Sequence, residues 1–160
     1  MLRPQGLQKL RDLLAPDVSH AVARGGLIRG RLSEIGKYVE RALGSRALAS
    51  TLVVSPPDES LTFDVARMRG EKIYASVVVE QNTPREAAVR DFLARHRLQS
   101  SEDSAMPEKF CQGVPVHLIC RISPLPSEPA ALSKLATALF REVCGLSDES
   151  ELCYRHDELG

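Results

Sequence analysis

With 160 residues, 43% hydrophobic and 26% charged, the chain has the size and composition of one globular domain that needs no disulfide or metal to hold its core. Its 21 basic residues balance 21 acidic ones, and it has four Phe, three Tyr and no Trp. The first fact disfavours general binding to a phosphate backbone and the second disfavours stacking of bases on exposed rings.

No apolar run of about 18 residues marks a membrane span. The opening residues Met1 to Lys9 lack the apolar stretch of a secretory signal, and Asp12 and Asp17 interrupt the acid-poor pattern of a transit peptide. A cytoplasmic location is therefore expected. In that setting Cys111, Cys120, Cys144 and Cys153 are expected to be free thiols. Charge is uneven along the chain: residues 1–46 sum to +5, residues 47–100 to zero and residues 101–160 to −5. Such asymmetry guides a partner or pairs the two ends within the fold.

Leu7, Leu10, Leu13 and Leu14 predict a short amphipathic helix stopped by Pro16, within an N-terminal extension over residues 1–26. Ile28, Leu32, Ile35, Val39 and Leu43 then predict one long helix capped at Gly44. The period changes to two in the centre. Thr51 to Val54 reads as a strand ended by Pro56-Pro57. Leu61, Phe63 and Val65, then Ile73, Ala75, Val77 and Val79, read as a hairpin turning at Arg69-Gly70. Thr83-Pro84-Arg85-Glu86 is a capping-box start for a helix to about Leu98. Residues 99–109 read as a mobile polar loop, and Val114 to Ile122 as a strand. Ser127-Glu128-Pro129 opens a last helix striped by Leu132, Leu135, Leu139 and Val143, and residues 147–160 read as a loosely held acidic tail. The expected fold is a single α+β domain in the order ααβββαβα, with helices on one face of a mostly antiparallel sheet of about four to five strands.

Known chemistries fit poorly. Gly25-Gly26-Leu27-Ile28-Arg29-Gly30-Arg31-Leu32 has P-loop spacing, but Arg31 and Leu32 stand where Lys and Ser/Thr are needed. His117 and Cys120, with Cys153 and His156, offer zinc-type ligands, yet strand residues three apart point to opposite faces. No spacing assembles an acid, a base and a nucleophile, so catalysis is the minority reading and no metal or cofactor is expected.

What remains is surface. With Ile73, Ala75, Val77, Leu118 and Cys120 facing the helices, the other sheet face carries Tyr74, Val78, His117, Ile119 and Arg121, with Asp64 beside them. That face is too apolar to be left idle and is the candidate for binding a partner protein or a second copy, unless the N-terminal helix covers it. A basic set, Arg24, Arg29, Arg31, Lys37, Arg41 and Arg46, is a second candidate surface. Nucleic acid is not its expected target, because Ile28, Leu32 and Ile35 need the same helix for the core. The alternative is a small-molecule or enzymatic domain with a pocket between sheet and helices near Cys111, His117 and Arg121.

The order helix, three-strand meander, helix, strand, helix, between Leu27 and Leu146, resembles the type III secretion chaperone-like fold and its YbjN-type relatives. The closing part of that stretch is Val116-His117-Leu118-Ile119-Cys120-Arg121-Ile122, then Pro124-Leu125-Pro126-Ser127-Glu128, then the helix through Val143. The resemblance implies a small homodimeric protein that binds another chain and performs no chemistry. The chain departs from the pattern in being neutral, where such chaperones are usually acidic, and in its additional basic N-terminal helix.

Overall fold

A computed structural model describes residues 26–104 and 117–160. Alternation of apolar and polar residues builds most of it. Strand β1 (Leu27–Arg31) leads through a 3-10 turn (Leu32–Glu34) into helix α1 (Ile35–Leu43). Strands β2 (Ala49–Ser55), β3 (Leu61–Met68) and β4 (Ile73–Glu80) form the meander, followed by α2 (Pro84–Arg95) and β5 (Gln99–Ser104). Then come β6 (His117–Ser123), α3 (Pro129–Cys144) and β7 (Glu151–Leu159). The strands make one sheet in the order β1-β7-β2-β3-β4-β6-β5, and every neighbouring pair is antiparallel.

The class is α+β, but among the described residues the sheet has seven strands rather than four to five, and the order is βαβββαββαβ where αβββαβα, the expected order without its first helix, was predicted. Three readings account for the difference. The helix expected over 28–43 is a strand, a 3-10 turn and a shorter helix. Leu32, Ile35 and Val39 of its stripe are buried, whereas Ile28 lies on β1 and is exposed. Residues 99–104, read as the start of a loop, form β5 along β6. The tail read as loose is β7, which sits between β1 and β2 and buries Leu152 and Tyr154. The expected helix at 7–14, Arg24, Cys111, residues 105–109 of the expected loop and 114–116 of the strand expected over 114–122 lie outside the described residues.

The register runs one apolar row across the sheet: Tyr154 is opposite Val54, Val54 opposite Phe63, Phe63 opposite Val77 and Val77 opposite Cys120. All five are buried, in one cluster with Val39, Phe92, Leu132, Leu139 and Phe140 of the three helices. The helices thus cover one face. On α2, Pro84 occupies the first turn and the Thr83 hydroxyl accepts from the Glu86 N–H at 3.3 Å, as its sequence predicts. Helix α3 ends at Gly145, whose positive φ of 66° provides the left-handed cap that lets the chain reverse toward β7.

Candidate functional site

Period-two alternation also defines what the sheet turns away from the helices. On β4 and β6, Val78 stands opposite Ile119, Ser76 opposite Arg121 and Glu80 opposite His117. Tyr74 lies one step along the same face, and the Arg121 guanidinium sits 5.4 Å from the centre of its ring. The structure therefore brings Tyr74, Val78, His117, Ile119 and Arg121 onto one surface. Tyr74, His117 and Arg121 are exposed, while Val78 and Ile119 are half-buried between their neighbours. The face continues through Asp64, opposite Ser76, to Val53 and Arg155. There the Arg155 Nε lies 3.5 Å from Asp157, whose carboxyl is pushed above the usual carboxylate range by burial, more than the neighbouring Arg155 and His156 charges lower it. Val78 and Ile119 are the apolar part of this face, and the neighbouring row carries Arg121, Asp64 and Arg155.

The pocket expected near Cys111, His117 and Arg121 is not between sheet and helices: His117 and Arg121 face away from the helices, and Cys111 lies outside the described residues. Two open clefts lie on the helix side among the described residues. One of about 540 Å³ is bordered by His96, Leu98, Leu125, Leu135 and Ala138, and one of about 700 Å³ by Gly36, Ser133, Thr137, Arg141 and Asp148. His96 is held 2.8 Å from Glu142 and against the Phe92 ring, so it serves the α2–α3 contact.

The basic set is divided. Arg29 and Arg31 belong to β1, not to a helix, and pair with Glu151 at 3.7 Å and Glu149 at 2.9 Å. Lys37 and Arg41 flank the Tyr38 ring on α1 at 5.1 and 5.8 Å. Arg46 lies in the loop before β2, where its carbonyl accepts from Arg69. Two basic residues of the first part of the chain thereby meet acidic residues of the last, because β1 is basic, β7 begins acidic, and the two are neighbours.

His117 is exposed on the open face and Cys120 is buried on the other, so these two do not converge. Among the described residues no three His, Cys, Asp or Glu side chains gather around a common point. One constellation was missed by sequence reasoning. Ser50 Oγ lies 2.8 Å from His156 Nε2, the same nitrogen is 3.5 Å from Glu158, and Glu158 accepts from Ser45 at 2.9 Å. Its parts are about a hundred residues apart, so no local spacing could reveal it. A serine nucleophile needs its acid on the opposite ring nitrogen and an accessible hydroxyl. Here Ser50 and Glu158 share one nitrogen and Ser50 is buried, so the group fastens β2 and the preceding loop to β7.

No described helix is long and apolar enough to cross a membrane. Compared with protein-family models, curated proteins and solved structures, the chain matches none.

Proposed function

We propose that this protein is a binding module for another protein chain, without chemistry of its own, and that the sheet face opposite the helices is its site. The observation that carries this reading is the cluster of Tyr74, Val78 and Ile119 with Arg121 on that face. It combines an apolar centre, an aromatic ring and an arginine, which is the composition favoured at protein interfaces. Further support comes from the order between Ile35 and Cys144: helix, three-strand meander, helix, two strands, helix. That is the order of elements on which the likeness to the secretion-chaperone-like fold rests, with one strand more.

The test is affinity capture from lysate of the source cells, with wild type and a Tyr74→Glu/Ile119→Glu variant of matched melting temperature. A stoichiometric protein partner captured by wild type and lost by the variant is the expected result. No partner for either form, or equal capture by both, overturns the reading. Light scattering on the same samples reports whether the partner is a second copy.

A further inference from the structure

Strand β1 ends the sheet, and no described strand pairs with its outer edge. Among the described residues four large apolar side chains are exposed, and two of them, Leu27 at 57% and Ile28 at 41%, are neighbours here. Exposed sheet edges are normally blunted by charge, proline or a covering element, because their free N–H and C=O groups accept another strand.

The direction of those groups follows from the ladder. Leu32 N–H donates to the Ser150 carbonyl, and its register partners of the same parity, Gly30 opposite Leu152 and Ile28 opposite Tyr154, turn their backbone groups toward β7. The groups of Leu27, Arg29 and Arg31 therefore turn outward. Those of Arg31 are already used, its N–H by Glu34 at 2.9 Å and its carbonyl by the Tyr154 hydroxyl at 2.5 Å. Leu27 and Arg29 keep theirs facing outward, with no partner among the described residues. The side chains of Leu27, Arg29 and Arg31 share the open face of the sheet, while Ile28 faces the helix side. Arg29 and Arg31 are largely exposed, and their links to Glu151 and Glu149 are surface ion pairs that a competing carboxylate can replace.

We propose that this edge takes up an extended acidic segment of a partner protein as an added antiparallel strand. Backbone bonds to Leu27 and Arg29 supply the pairing. Carboxylates placed two residues apart face Arg29 and Arg31, and apolar residues face Leu27 and Ile28. The chain's own β7 already meets β1 in this way on the inner side, with Glu151 opposite Arg31. This surface is separate from the open face at β4 and β6, so either proposal stands if the other fails.

The probe is the fluorescent peptide Glu-Val-Glu-Val-Leu, titrated with the full chain and followed by anisotropy, with Lys-Val-Lys-Val-Leu as control. The acidic peptide is expected to bind at least tenfold more tightly than the basic one, and Arg29→Glu/Arg31→Glu is expected to reverse that order. Arg29→Pro removes one outward N–H while leaving the inward groups of Ile28 and Gly30 intact, so it is expected to abolish binding without lowering the melting temperature. No saturable binding, equal binding of both peptides, or binding that survives a folded Arg29→Pro overturns the proposal. So does a wild-type dimer that Arg29→Pro converts to monomer, since β1 would then pair with a second copy.

Discussion

Gly30 carries more of the β1 geometry than any local rule suggests. A Cβ built there would lie 2.6 Å from Glu34 Oε2 and 3.1 Å from Tyr154 Cε2, because the Tyr154 ring crosses β1 at this point to reach the Arg31 carbonyl. The carboxylate can swing aside but the ring cannot, since Tyr154 is stacked on Tyr38 with centroids 4.0 Å apart. Gly30→Ala is expected to cost about 1–3 kcal/mol, the usual range for an overpacked site, read as a lower denaturant midpoint with an unchanged slope. In the sequence this glycine stands inside the stripe from Ile28 to Leu43 that predicts a helix. The close approach is real, but its partner comes from residue 154, which no window around residue 30 contains.

At the scale of elements, the last strand shows how far composition can mislead. Residues 147–160 hold five acidic side chains, which read as a solvated tail. Alternation was nonetheless present: Leu152 and Tyr154 are fully buried with Cys153 between them, and the charges fall before Leu152 or after Tyr154. An interior strand of an antiparallel sheet needs only one apolar face, so a strand can be acidic and still central. Leu152→Ala is expected to destabilise the protein by about 2–5 kcal/mol in chemical denaturation, the cost of a buried cavity. A tail that was loosely held would show no change. Residues 99–104 misled for a related reason: Gln-Ser-Ser-Glu-Asp-Ser has no apolar face, and its strand state comes from the ladder offered by β6. The Thr83 cap, by contrast, was readable because every part of its chemistry lies within four residues.

For the molecule as a whole, the opposite charges of the two ends meet at β1 and β7. The Arg31–Glu149 contact is exposed, so a double-mutant cycle with Arg31→Ala and Glu149→Ala is expected to give a coupling of about 1 kcal/mol or less, shrinking further in 1 M salt. A coupling of several kcal/mol would mean that the charges, rather than Leu152 and Tyr154, hold β1 in place. The open face was legible to a similar degree. Alternation in β4 and β6 placed Tyr74, Val78, Ile119 and Arg121 together, because residues on one face of paired strands are neighbours whatever lies elsewhere. The basic set was not legible as a surface, since Arg29, Arg31, Lys37 and Arg41 were read on one helix, which the structure breaks at Leu32.

The sequence by itself determined the α+β class, the β2–β4 meander, the start of α2, the stripe of α3 and the face on which the β4 and β6 side chains stand. All of these rest on period and capping, which act over a few residues. Tertiary structure alone decided that 27–31 is a strand, that 99–104 lines an edge, and that the acidic tail is inserted between β1 and β2. It also decided that Ser50, His156 and Glu158 meet. In each case the stabilising partner is distant in sequence: a ladder hydrogen bond or a cross-strand contact is available only once another segment has been folded beside it.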